Sequence, residues 1–303
     1  MKKKILIIGG TGFLGYHLAK ISLKKNWQVT SVSTKKPKKI RFIKKLTYII
    51  CDINKKNLIK KKIKKNFDYV VNFGGYVDHS NKNKTFSSHF YGCKNLANHF
   101  LDSNITSFIQ IGSSVEYGHL KSPHKENQKY NPKLIKSTYG KAKLLSTNYL
   151  LDLFKKKKFP STVIRLYLGY GPKQDLNRFL PITINSCIRD KKFKCSDGVQ
   201  YRDFLHVDDI ISAILKSLKS NSSKGEIINI GSGKPRKIKT VIQLIKEKVN
   251  GGKPQFGAIK LRKDEILKMY PSIQKAKNII NWKPRISFEK GLKNTIKSYY
   301  DSK

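Results

Sequence analysis

The stretch Ile5-Leu6-Ile7-Ile8-Gly9-Gly10-Thr11-Gly12-Phe13-Leu14-Gly15 decides the fold. Its first four residues are apolar and mostly β-branched, the composition of a parallel strand buried on both faces. From Phe13 onward, Phe13, Leu14, Leu18 and Ile21 recur at helical spacing, so the three glycines occupy a strand-to-helix turn. Glycine there tolerates positive φ and lets the backbone approach a pyrophosphate, which the positive end of the following helix attracts. The turn predicts a dinucleotide site at the leading edge of an α/β sheet.

Further strands are predicted at residues 28–33, 47–52, 68–73, 108–111 and 163–166, and long helices at 86–101 and 137–154. A lysine-rich loop, residues 35–45, follows the second strand. Strands alternating with helices on short connections imply parallel crossovers, hence a doubly wound parallel sheet of the Rossmann kind. From about Gly171, prolines and glycines break the pattern into shorter pieces. Residues 1–170 are therefore expected to bind the dinucleotide, and 171–303 to form a smaller C-terminal substrate lobe.

Composition narrows the partners. The 303-residue chain carries a net charge of +45, a field that attracts polyanions whatever the fold. Of its 64 basic residues only eight are arginine, and the lysines run through every segment without an arm or recognition helix. Guanidinium, not ammonium, is the better reader of phosphate forks and base edges. The excess reads as compositional bias, and no specific nucleic-acid partner is expected. No run approaches the ~20 apolar residues of a membrane span, and the apolar run 5–8 is shorter than the roughly 7 to 15 residues of a signal-peptide core. Cys51, Cys93, Cys187 and Cys195 are scattered, which predicts reduced thiols in a cytoplasmic protein and no metal site.

A second motif carries chemistry. Tyr139-Gly140-Lys141-Ala142-Lys143 sets a phenol and an ammonium four residues apart on one helical face. A tyrosine ionises near ~10 in water, and an adjacent cation favours the phenolate. Taken with the Gly9-x-x-Gly12-x-x-Gly15 spacing, the pair resembles the extended short-chain dehydrogenase/reductase family of nucleotide-sugar epimerases, dehydratases and reductases. Gly112-Ser113-Ser114-Val115-Glu116-Tyr117-Gly118, Arg202-Asp203-Phe204-Leu205-His206-Val207-Asp208-Asp209 and Trp282-Lys283-Pro284 match later landmarks in order, so the resemblance spans essentially the whole chain.

The resemblance implies roles. Tyr139 would carry the proton, Lys143 would tune it and bond the nicotinamide ribose, and Ser113 would orient a substrate oxygen. Dinucleotide contacts would come from Gly9, Thr11, Gly12, Phe13, Leu14, Gly15, Ser33, Lys35, Asp52, Ile53, Phe73, Gly74 and Lys143, with Asp52 against the adenine. Ser114, Arg178, Arg202 and Arg262 would hold the nucleotide sugar, Arg202 and Arg262 clasping its diphosphate through bidentate contacts. Residues 202–232 would return to extend the sheet. The helices at 86–101 and 137–154 would pair across a two-fold axis in a homodimer.

Within the family, dehydratases carry an acid directly after the serine, and the double epimerase-reductases that make GDP-fucose use a cysteine where Val115 stands. Ser114-Val115 therefore disfavours both reactions. NAD enzymes usually place an Asp roughly 20 residues beyond the turn, on the ribose 2′-hydroxyl. This chain has Ser33-Thr34-Lys35-Lys36, which suits a 2′-phosphate, and NADP(H) is the expected cofactor, with NAD the alternative. Residues 171–181 and 254–259 look most like the 4-keto-6-deoxyhexose reductases. The expected activity is reduction, with NADPH, of the C4 keto group of an NDP-4-keto-6-deoxyhexose. The alternatives are a UDP-sugar 4-epimerase with tightly bound NAD and a noncatalytic NADP- or RNA-binding scaffold. Four departures stand out. His89 and Leu168 replace usual asparagines and are expected to alter the substrate pocket, Asn72-Phe73-Gly74-Gly75 replaces an Ala-rich turn, and Ser272 replaces an aspartate.

Overall fold

The side chains of the first strand, β1 (Lys4–Ile8), pack alternately to the two faces of one sheet. Ile5 and Ile7 join the core under one helical layer, while Leu6 and Ile8 join the core under the other. That two-sided burial is what a four-residue apolar run requires. The computed structural model describes residues 2–301 apart from 79, 130, 131 and 263.

In chain order, β1 leads to α1 (Phe13–Lys24), β2 (Gln28–Ser33), β3 (Thr47–Ile50), α2 (Lys56–Lys62) and β4 (Tyr69–Asn72). Next come α3 (Lys82–Phe86), α4 (Gly92–Phe100), β5 (Ser107–Ser113), α5 (Thr138–Lys157) and β6 (Ser161–Leu166). The predicted strands all appear. The helix predicted at 86–101 begins earlier and is interrupted, because a π-helical turn over Ser87–Tyr91 joins α3 to α4. The wider turn swings Ser88 and His89 into the interior.

The remaining elements are β7 (Leu168–Tyr170), α6 (Phe179–Ile188), β8 (Lys192–Lys194), β9 (Tyr201–Arg202), β10 (Phe204–His206), α7 (Val207–Lys219) and β11 (Ile227–Ile230). They are followed by β12 (Arg236–Lys237), α8 (Ile238–Val249), β13 (Lys253–Gln255), β14 (Lys268–Met269), α9 (Gln274–Ile280) and α10 (Phe288–Tyr300). The main sheet has seven strands in the order β11-β6-β5-β4-β1-β2-β3. Every pairing in it is parallel. The Rossmann-like doubly wound sheet is thus present, and β11 is the segment that returns to it, pairing with β6 from Ile227↔Val163 to Ile230↔Leu166. β4 lies on one side of β1, and β2 and β3 on the other. The chain reverses direction there, and open α/β sheets keep ligands at such a switch point. A third core, built on Tyr170, Leu180, Ile184, Phe204, Val241, Phe288 and Leu292, organises the later residues.

Candidate functional site

The glycine turn is shaped to admit an anion. Gly9 has φ +74°, and a side chain at Gly15 would lie 2.4 Å from the Gly9 carbonyl oxygen, so only glycine lets α1 start this close to β1. Gly12 is the N-cap of α1, with no side-chain cap and no acid in the first turn. The first-turn N–H groups are therefore left to a ligand, and the residues present fit a dinucleotide pyrophosphate. The ends of β1 and β4 flank this turn, with a Gly9 side chain meeting the Phe73 backbone at 3.2 Å. Gly74 N–H donates to Asn72 Oδ1 at 2.8 Å, and Asp52 Oδ1 accepts from Asn54 N–H at 2.9 Å.

Ser33, and not a carboxylate residue, ends β2. Its hydroxyl donates to Val32 O (2.7 Å) and accepts from Thr11 Oγ1 (3.0 Å) and Thr11 N–H (3.3 Å). The hydroxyl is thus spent on the glycine turn and does not reach outward as a phosphate donor. Thr34, Lys35 and Lys36 are the exposed groups at that end.

α5 packs on β5 and delivers the second motif. Ser137 caps α5 by accepting from Gly140 N–H at 3.0 Å. Tyr139 is hydrogen-bonded to the Ser113 side chain at the carboxyl end of β5. Lys143, one turn on, donates to Ile111 O at 2.6 Å and lies 5.8 Å from the Tyr139 ring centroid. The three candidate residues converge. Their ionisation departs from expectation, since burial pushes the phenol up to about 12 despite the Ser113 hydrogen bond. Burial also lowers Lys143 to about 8, opposed by the charge of Glu116. In the protein alone, the burial of the phenol outweighs the neighbours that would lower it.

Behind Ser113 lies a network that motif reading did not single out. Glu116 and Arg165 are both fully buried and pair at 2.9 Å. Glu116 Oε1 accepts from Ser113 N–H (2.7 Å) and Oε2 from Thr147 Oγ1 (2.7 Å), while Arg165 sits 4.4 Å from the Tyr117 ring centroid. A side chain at Gly112 would come within 2.5 Å of the carboxylate, so glycine is needed above it. The spacing Ser113-x-x-Glu116 is a capping box, and that signal would have found the acid.

The substrate-side candidates divide. Arg202 and Arg262 line one cavity of about 550 Å³ together with Leu168, Phe193, Gln200 and Glu265. Arg202 is held there by Glu265, and exchanging that carboxylate for a diphosphate is chemically simple. Arg178, the N-cap of α6, is exposed but close enough to Tyr139 to act on its charge. Ser114 is buried with its hydroxyl on Met269 Sδ at 3.3 Å, and of the two residues that replace asparagines, Leu168 lines this cavity and His89 is buried. A further arginine ties this half to the glycine turn. Arg41 donates to Thr11 O (3.4 Å) and Lys173 O (3.0 Å) and pairs with Asp175 (2.7 Å).

Among the described residues no helix is long and apolar enough to cross a membrane. The model of the NAD dependent epimerase/dehydratase family matches residues 5–231, and the chain belongs to that family. It is 32% identical to a UDP-glucuronate 4-epimerase of Thermodesulfobacterium geofontis over 69% of this chain and 64% of that protein, so the match spans slightly under two thirds of that relative. It is 25% identical to the CDP-abequose synthase of Salmonella muenchen over 98% of both chains. In fold it superposes on a UDP-glucuronic acid 4-epimerase from Bacillus cereus, solved with UDP-glucuronic acid and NAD, with a TM-score of 0.86, 23% identity and coverage of 99% and 100%.

Proposed function

We propose that this protein is an NADP(H)-dependent oxidoreductase that reduces the C4 keto group of a nucleotide-linked 4-keto-6-deoxyhexose. The convergence of Ser113, Tyr139 and Lys143 at the carboxyl end of β5, the same edge of the sheet as the glycine turn after β1, carries the reading. A bound nicotinamide supplies the hydride that C4 accepts. Tyr139 gives its proton to the oxygen on C4, Ser113 donates to the same oxygen, and Lys143 restores charge balance beneath the phenolate that is left. Reduction consumes a protonated phenol, and burial keeps Tyr139 in that form at neutral pH.

In this reading residues 1–170, with 202–232, hold the dinucleotide and 171–303 the sugar nucleotide. Arg202 and Arg262 bind the diphosphate, and Arg178 lies between it and the phenol. With Ser33 turned inward and no carboxylate beside it, Lys35 is the group that pairs with a 2′-phosphate. The four cysteines are free and buried, in keeping with a cytoplasmic enzyme. α5 carries exposed Leu145, and exposed Tyr91 ends the π turn that leads into α4, apolar groups for the surface of a symmetric homodimer. A dimer by light scattering at micromolar concentration is the expected result.

A second reading, a UDP-sugar 4-epimerase retaining NAD, draws support from the epimerase names among its relatives. One experiment separates the two. The purified protein is incubated with NADPH or NADH and a panel of NDP-4-keto-6-deoxyhexoses, following nicotinamide absorbance and product. Consumption of NADPH in step with product supports the reductase. Protein isolated with NAD that interconverts UDP-hexoses without consuming reductant makes it an epimerase.

A further inference from the structure

We infer that His89 is a positioning residue that locks the Tyr139 ring to the loop following β4. The inference rests on the proposed role of Tyr139 only for its kinetic consequence. The π-helical turn Ser87–Tyr91 places His89 inside the protein, 6% exposed. Its imidazole meets the Tyr139 ring edge to face, with centroids 4.8 Å apart and planes at 76°. That is a favourable aromatic geometry, and it restricts how the phenol can swing.

The other side of the imidazole holds the loop. His89 Nε2 lies 3.2 Å from Tyr76 O, a contact in which the ring N–H donates, and Ser88 Oγ accepts from Tyr76 N–H at 2.8 Å. Two successive residues of the π turn thus take both backbone groups of Tyr76. Gly75 makes room for the ring. It has φ +152°, and a Cβ there would lie 1.9 Å from His89 Cε1. The turn itself is pinned to α5, with Ser146 Oγ 2.7 Å from His89 O. Phe73 and Gly74, which border the glycine turn, belong to the loop that His89 clamps. One side chain therefore sets the distance between the proton carrier and the dinucleotide side of the cleft. A glutamine at this position, whose amide reaches about as far as Nε2, could donate to Tyr76 O but could not present a ring edge to Tyr139. A phenylalanine could do the second and not the first.

The first test does not depend on the reaction. In protein labelled with 3-fluorotyrosine, the fluorine resonance of residue 139 is assigned by its loss in Tyr139→Phe. His89→Gln is expected to move that resonance more than any other except that of Tyr76, whereas His89→Phe leaves it near the wild-type position. An unmoved resonance in His89→Gln, with only a lowered Tm, overturns the proposal and makes His89 a space filler. Gly75→Ala, which drives a methyl group into the ring, should move the same resonance. The second test is kinetic. His89→Gln should lower kcat about ten-fold with KM for the nucleotide sugar unchanged, and should add no loss in a Tyr139→Phe background. Independent, multiplying losses would overturn the assignment. Absence of any turnover refutes the reductase and epimerase readings, and the fluorine result then decides this proposal alone.

Discussion

Two ion pairs, one behind Ser113 and one in the later half of the chain, use the same chemistry for opposite ends. Glu116 and Arg165 are completely buried, and beyond that pairing the carboxylate takes two further donors, one from β5 and one from α5. Arg202 and Glu265 are also paired, but both keep solvent contact, with side chains 13% and 22% exposed, in a cavity large enough for a ligand. The first pair cannot exchange partners without stranding a charge in the core. The second can trade its carboxylate for another anion at little loss, since water and screening already weaken it. Rigid scaffold and exchangeable site are thus distinguished by solvent access and not by residue type.

The largest test of that contrast is Glu116→Ala. Leaving Arg165 buried and unpaired should destabilise the fold by about 3–5 kcal/mol in urea unfolding, whereas Glu265→Ala should change stability by less than about 1 kcal/mol. Comparable losses would erase the distinction. Tyr139→Phe, which keeps the ring that packs on His89, should leave stability and cofactor affinity near wild type while kcat falls by ~10² or more. An unimpaired variant removes the phenol from the chemistry.

Lys143 connects the two regimes, being buried and donating to Ile111 O, and its folded ionisation value of about 8 lies below its ordinary 10.5. Between these values the unfolded chain holds the proton more tightly than the folded one, so Lys143 contributes stability that rises as pH climbs from about 8 to about 10, against the opposing trend of the buried thiols, whose ionisation burial raises. Lys143→Met should abolish that rise while turnover is lost. Urea titrations that give wild type and Lys143→Met the same dependence of stability on pH would contradict the buried cation. A smaller effect is expected at the cofactor end, where Ser33→Asp should reverse a preference for NADPH over NADH by roughly ten-fold in the ratio of dissociation constants, measured at one salt concentration. If wild type binds NADH more tightly, the 2′-phosphate assignment fails. Smallest of all, Glu265→Gln should tighten binding of a nucleoside diphosphate a few-fold by releasing Arg202, an effect that added salt diminishes. Weaker binding would show that Glu265 holds the ligand and does not compete with it.

The glycine turn, the apolar strands and the Tyr139/Lys143 spacing were legible in sequence because each depends on local rules: φ freedom, periodicity and helical spacing. Tyr139 to Lys143 is one turn of one helix, and that geometry survives any tertiary context. Ser113 was legible only through its resemblance to a family motif. What sequence periodicity could not supply was the direction of the side chains. Ser33 sends its hydroxyl to Thr11, Ser114 turns to Met269, and Arg202 faces Glu265, and each of these partners lies 22 residues or more away in the chain. The phenol's ionisation belongs to the same class, because desolvation depends on everything packed around Tyr139, including a histidine brought inward by one irregular turn. Local sequence determined the sheet, the turn and the reactive pair, since backbone preference acts over a few residues. Tertiary structure alone decided which charges are buried, which are exchangeable and what holds the phenol, since burial and pairing are properties of segments distant in sequence.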